Sequence, residues 1–181
     1  QFEYIRKSVI AFNLPSVDLA NYEADDLIAT YTEQILAKGA KVTIVSSDKD
    51  LMQLYKKDVR LFDPMKNKFI TSEDVINKFG VDAKKVIDVQ SLAGDSSDNV
   101  PGVPGIGVKT AAELINKYGT LEKLLGKAHE IKQNKRRETL LENKDKAIVS
   151  KKLVTLKKDT PVDRDIEEFR LKEIDKDRLY K

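Results

Sequence analysis

The chain has 181 residues, 40% hydrophobic and 35% charged, with a formal net charge of +3, enough for one domain, or one domain with a distinct lobe, under a heavily charged surface. No apolar run approaches the roughly 20 residues of a membrane span, and no secretory signal pattern opens the chain. Cysteine is absent and His129 is the single histidine, which removes disulfides and thiolate metal sites, makes zinc an unusual guest, and leaves oxygen ligands suited to magnesium, manganese or calcium.

Phe2, Ile5, Val9 and Phe12 recur at spacings of three and four, which predicts a helix ending near Asn13, before Pro15. Gln1 already lies in this pattern, as in a chain that begins part-way through a domain. A second helix is predicted from Glu23 to Lys38, with Ala24, Leu27, Ile28, Tyr31, Ile35 and Leu36 as its apolar face and Gly39 as its stop. Val42 to Val45 is β-branched and lacks polar alternation, the signature of a strand buried on both faces. A helix followed by such a strand predicts an α/β layer with a parallel sheet. "VRLFDP" is expected to be a second strand, and "MKNKFI" a turn into a short third one.

From Thr71 the texture becomes helical. Thr71 and Asp74 form a capping box, with Asp where Glu is preferred. Helices are predicted over about 73–79, 83–93 and 108–118, with Thr120 capping a further short one. Residues 129–158 are expected to be mostly helical and basic, and the stretch from Thr160 is charged, weakly patterned and expected to be poorly ordered.

Three acidic clusters stand at element boundaries. Glu23, Asp25 and Asp26 open the second helix, where the helix dipole favours anions. One carboxylate satisfies an N-cap, and a bound cation would offset the repulsion among three. Asp48 and Asp50 follow the first strand, at the strand end where open α/β sheets bind ligands; capping of the next helix by Asp48 is the alternative. Asp95 and Asp98 lie three apart in "GDSSDN", facing one way or forming an ordinary Asx turn. Together the seven acids are sufficient for much of a two-metal phosphodiesterase site.

"VPGVPGIGVKTAAELI" carries a separate signal. Gly102, Gly105 and Gly107 allow a tight turn and close backbone approach. The helix after Gly107 points its N–H groups at a phosphate, beside the charge of Lys109 and the hydroxyl of Thr110. No strand precedes these glycines, so they are not a dinucleotide fingerprint. They read as a helix–hairpin–helix that grips a DNA backbone, or as a purely structural hairpin. Downstream, residues 127–158 hold eleven Lys or Arg against four Asp or Glu, while the remainder holds 22 against 26. A basic segment beside an acidic one suits a nucleic-acid enzyme, although a lysine-rich solvated helix face has the same composition.

"YEADD", "SSDKDLMQL", "GDSSDNVPGVPGIGVKTA" and "YGTLEKLL" together resemble, in order and approximate spacing over nearly the whole chain, the 5′-nuclease domain of bacterial DNA polymerase I, in the flap endonuclease family. The resemblance implies a PIN-like α/β core with a partial parallel sheet over residues 1–93, a helix–hairpin–helix lobe over 94–160 and a charged tail over 161–181. It implies magnesium- or manganese-dependent hydrolysis of DNA at 5′ ends and flaps. Glu23, Asp25 and Asp26 would serve a first metal, and Asp48, Asp50, Asp95 and Asp98 a second. Gly102 to Lys109 would hold the duplex, and the carbonyls of Val103 and Ile106 a potassium ion. It further implies a cytoplasmic, nucleoid-associated bacterial protein followed by a polymerase domain, with no membrane and no small-molecule cofactor.

Family members open with a buried strand carrying a metal-binding aspartate, then a second aspartate and a basic arch. None of these precedes Gln1, so the chain looks like a family domain short of its N-terminal third, with the nuclease activity expected to be impaired. A non-catalytic duplex-binding module is the alternative function. A small-molecule phosphohydrolase using Asp48 and Asp50 would leave the hairpin and the basic segment unexplained.

Overall fold

A computed structural model describes residues 2–179; Gln1, Tyr180 and Lys181, at the ends of the expected core and tail, lie outside the described residues. The chain forms two compact units, one from the segments up to Ala40 and from Lys157 onward, the other from Lys41–Leu156. Among the described residues no helix is long and apolar enough to cross a membrane.

The first unit contains α1 (Phe2–Ala11) and α2 (Ala24–Ala37). After α1 the backbone turns through Asn13 in a left-handed conformation (φ 51°), ahead of Pro15. The covered face of α2 includes Leu27, Ala29 and Tyr31, but also Thr30 and Thr32, which an apolar stripe does not reveal. Thr30 is satisfied locally: its Oγ1 lies 2.7 Å from the Thr160 hydroxyl and accepts the Thr160 N–H at 3.2 Å. Residues 160–169 are therefore not part of the poorly ordered tail their composition suggests. Asp165 makes a capping box over a 3-10 turn, Ile166–Phe169, and the Phe169 ring meets Tyr31 edge-on at 4.9 Å.

The second unit is built on a three-stranded sheet, β1 (Val42–Val45), β2 (Val59–Asp63) and β3 (Lys68–Ile70), in that order. β1 and β2 run parallel with Val42 beside Val59, and β2 and β3 antiparallel with Leu61 beside Ile70. Ile44, Val59, Leu61 and Ile70 are buried. The expectation that β1 is covered on both faces is corrected: Thr43 is exposed and Val45 is 64% exposed. Among the described residues β1 is an edge strand, and its β-branched composition reflects strand preference rather than two-sided burial.

Six helices complete this unit: α3 (Ser72–Phe79), α4 (Val86–Ala93), α5 (Val108–Tyr118), α6 (Leu121–Gly126), α7 (Asn134–Glu142) and α8 (Lys144–Val154). The Thr71–Asp74 capping box starts α3, and Gly80 ends it with φ 73°. The helix expected over 83–93 begins as a 3-10 turn, Ala83–Lys85, capped by Asp82. Val86, Val89, Leu92, Ile115, Leu121, Leu124 and Leu140 are fully buried among these helices. The buried Asp88 of α4 pairs with Lys151 of α8 at 2.7 Å, and the same ammonium reaches Glu122 of α6 at 2.7 Å. One cation thereby compensates a carboxylate that would be costly to bury alone.

Candidate functional site

The loop after β1 is fastened at several points. The Asp48 N–H donates to Ser46 Oγ (3.0 Å), and the Asp50 N–H to Asp48 Oδ1 (2.9 Å). The Ser47 hydroxyl donates to Asp63 Oδ1 at 2.8 Å. Asp63, buried at the end of β2, also accepts the N–H groups of Met65 (3.0 Å) and Lys66 (3.2 Å). The Ser47 hydrogen bond, with help from Lys66, holds its carboxyl below the usual range. Asp50 thus stands at the strand end as expected, whereas Asp48 is not the helix cap that its position suggests: Lys49 is the N-cap residue of the 3-10 turn Asp50–Leu54, without a side-chain capping bond, and Asp48 makes only the local turn bond to the Asp50 N–H.

The second contribution comes from the end of α4. Gly94 leaves the helix with φ 70°, and Asp95 and Val100 exchange two backbone hydrogen bonds (2.9 and 2.8 Å). Within the loop, Asp95 Oδ1 accepts the Ser97 N–H at 2.9 Å, and Asn99 takes φ 56°. This tight turn folds Asp98 back beside Asp95, as the three-residue spacing predicts. Carboxylate oxygens of Asp50, Asp95 and Asp98 then lie within 4.8 Å of one another. Asp48, exposed, is not in this group.

Two partners that sequence reasoning missed control the charge here. Lys49 forms an ion pair with Asp95, which keeps the Asp95 carboxyl low and the Lys49 ammonium high. Burial pushes the Asp50 carboxyl up, opposed by a hydrogen bond from Gln90 Nε2 to Asp50 Oδ1 at 2.5 Å. Lys49 stands next to Asp50 in "SSDKD" and was legible as a charge; Gln90 carried no local signal.

Glu23, Asp25 and Asp26 stand at the start of α2 in the other unit. Glu23 is the extended N-cap residue, yet its side chain makes no capping hydrogen bond. Asp26 Oδ1 accepts the Lys157 N–H at 2.8 Å, and Asp25 is half-buried. Simple N-capping by Glu23 therefore does not explain the cluster.

The loop between α4 and α5 is a hairpin built on two glycines in contact. A Cβ on Gly102 (φ 59°) would lie 2.5 Å from the Gly94 nitrogen, so no other residue fits. The Gly102 N–H donates to the buried Ser150 Oγ of α8 at 2.9 Å, a third residue without a sequence signal. The Val103 N–H donates to Leu92 O (2.8 Å) and the Ile106 N–H to Val103 O (3.0 Å), with both side chains buried. Gly105 needs its freedom for φ 73°, whereas Gly107 is an extended N-cap of α5 with open space around it. Close backbone approach thus belongs to Gly102 and Gly94 alone. Lys109 is exposed and Thr110 half-buried in the first turn of α5. Beside the hairpin a groove of about 420 Å³ is lined by Pro104, Gly105, Ile106, Lys135, Arg136 and Thr139, among others.

Comparison with known proteins agrees with this architecture. The family described as "5′-3′ exonuclease, N-terminal resolvase-like domain" matches residues 1–80, and "5′-3′ exonuclease, C-terminal SAM fold" matches residues 81–177. DNA polymerase I of Rhizobium leguminosarum is 56% identical over 92% of this chain, which spans 16% of that relative's length. The 5′-3′ exonuclease of Aquifex aeolicus is 38% identical over 99% of this chain and 61% of its own length. A bacteriophage T5 D15 flap endonuclease, solved as a pseudo-enzyme–product complex with DNA and metal ions, shares the fold with a TM-score of 0.77 at 23% identity, over 86% of this chain and 58% of that one. Matched from its first residue to residue 177 by the two halves of one family, the chain belongs to the 5′-3′ exonucleases.

Proposed function

We propose that the chain supplies much of a site for metal-dependent hydrolysis of DNA phosphodiesters at 5′ ends and flap junctions, with an activity of its own below that of a longer polypeptide containing it. The observation that carries this is the convergence of Asp50, Asp95 and Asp98 to within 4.8 Å at the base of a glycine hairpin. All three donors are hard carboxylate oxygens, the set that suits magnesium or manganese. Opposite ligands of an octahedral magnesium stand about 4.2 Å apart, so small side-chain rotations would bring these oxygens onto one ion. When bound, divalent ions acidify the attacking water and stabilise the leaving oxygen.

The chain's own groups have separable tasks. Asp50, Asp95 and Asp98, with Asp48 adjoining, would hold one ion, and Glu23, Asp25 and Asp26 would serve another. Lys49 neutralises Asp95 in the ion pair, a charge that a divalent ion held by the three carboxylates would supply instead. The hairpin offers the N-terminal N–H groups of α5, Lys109 and Thr110 to a duplex phosphate, and Lys135 and Arg136 extend that surface along the groove. The carbonyls of Val103 and Ile106 would hold a potassium ion; Val103 O accepts one hydrogen bond, which leaves it a second lone pair. The greater length of the polymerase I relative supports a polymerase domain in the same protein, acting on DNA in the bacterial cytoplasm.

Purified protein, magnesium and a labelled 5′ flap provide the test. Cleavage that EDTA abolishes and Asp98→Asn lowers by at least about a hundredfold is expected, given the several kcal/mol that metal-assisted charge stabilisation supplies. No cleavage by this chain or by a longer polypeptide containing it would refute the activity. Duplex binding without cleavage is the second reading, favoured by the Lys49–Asp95 pair, which already satisfies one carboxylate without a metal. It predicts salt-sensitive duplex binding with no cleavage in the presence of magnesium.

A further inference from the structure

Gln90 is 4% exposed, although a glutamine amide is among the groups most often left at a surface. It sits on α4 one turn before Gly94, whose N–H donates to the Gln90 carbonyl at 2.8 Å. The helix that carries Gln90 thus leads directly into the turn that carries Asp95 and Asp98. The side-chain Nε2 donates to Asp50 Oδ1 at 2.5 Å. The side-chain Oε1 is buried and has no hydrogen-bond partner among the described residues. Exchanging the amide's oxygen and nitrogen would not cure this. It would set two acceptors 2.5 Å apart, so the carboxylate itself decides the orientation.

A buried acceptor without a donor is destabilising, and such atoms in native proteins call for a specific cause. An apolar side chain of the same shape would fill this position without that cost. No group among the described residues donates to Oε1, and Gln90 lines the same cavity as Lys49 and Asp95, beside the three converging carboxylates. A hydrated divalent ion supplies such donors, because magnesium and manganese keep several of their waters when a few carboxylates hold them.

We propose that Gln90 is a positioning residue of the metal centre: its Nε2 fixes Asp50 Oδ1, and its Oε1 accepts a hydrogen bond from a water carried by the cation that Asp50, Asp95 and Asp98 hold. This rests on the metal reading of those three carboxylates. Partners one step removed from a metal ligand commonly change affinity ten- to a hundredfold when removed.

Manganese binding to the full chain, followed by the loss of the free-ion electron paramagnetic resonance signal, tests the proposal without any nuclease assay. Gln90→Met keeps the length and volume of the side chain and removes both polar atoms; Gln90→Leu is the second variant. The expected result is a manganese dissociation constant raised about tenfold, whether or not loss of the Nε2–Asp50 hydrogen bond lowers the melting temperature in EDTA. Unchanged manganese affinity, with or without a lowered melting temperature in EDTA, would show a purely structural amide and overturn the proposal. Failure of the parent chain to bind manganese would instead overturn the metal centre on which the proposal stands.

Discussion

Lys49 brings a positive charge to Asp95, one of the three converging carboxylates, and lies between Asp48 and Asp50 in sequence. A divalent ion must displace it or share the carboxylates with it. Lys49→Met is therefore expected to tighten manganese binding roughly fivefold, the equivalent of the ~1 kcal/mol of a partly exposed ion pair; weaker binding in the same titration would assign Lys49 a supporting role instead. Asp74 offers a cleaner electrostatic test. Lys68, then the Thr71 N–H and hydroxyl, hold its carboxyl down to about 2, below the ordinary aspartate value of 3.8. A carboxyl lowered by folding contributes stability that is complete above its unfolded pKa and is lost as pH falls through the folded one. The urea midpoint of the parent should exceed that of Asp74→Asn above about pH 4 and converge with it towards pH 2. A difference that stays constant over this interval would separate the capping geometry from its charge. The Thr71–Asp74 pair was legible because its members lie three residues apart. Gln90 was not, because its partner Asp50 is forty residues away.

At the scale of elements, the hairpin between α4 and α5 separates glycines that sequence alone treats alike. Gly102→Ala meets both a left-handed φ and the Gly94 backbone, and should cost at least about 2 kcal/mol in denaturant unfolding. Gly107→Ala, with extended backbone and open space, should fall within about 0.5 kcal/mol of the parent. Equal losses at the two positions would contradict the packing described for the hairpin. Ser150→Ala removes the acceptor of the buried Gly102 N–H and should cost about 1–3 kcal/mol, with duplex affinity falling alongside. Helix boundaries in this region were readable from Thr71 and Thr120, whose capping chemistry is local. The environment of β1 was not. Val42 to Val45 has the composition of a strand, but the neighbours that cover a strand are chosen by the rest of the fold.

For the whole molecule, the relevant quantity is the separation of charge. The excess of seven positive charges in residues 127–158 includes Lys135 and Arg136 beside the hairpin and Lys151, already committed to Asp88 and Glu122. Only the first two are therefore expected to contact phosphate. Replacing either by alanine should weaken duplex binding regardless of sequence and reduce the slope of log K against log salt by about one. Lys151→Met, in contrast, should leave that slope intact and lower stability through the unpaired buried Asp88. A salt slope unaffected by Lys135→Ala and Arg136→Ala would move the DNA surface elsewhere.

The local features were legible in the residues themselves: the helices with their caps, the hairpin glycines, the spacing of Asp95 and Asp98, and the family. Each depends on backbone preferences and side-chain reach over a few residues, so a linear text records it. Folding in three dimensions set which of the acids meet, that Lys49 and Gln90 accompany them, that Ser150 supports the hairpin, and that Thr160 and Phe169 pack on α2. Those pairings join segments from about forty to 140 residues apart. They are set by where the hydrophobic core leads the chain, and buried polar atoms then take the partners that packing brings within reach.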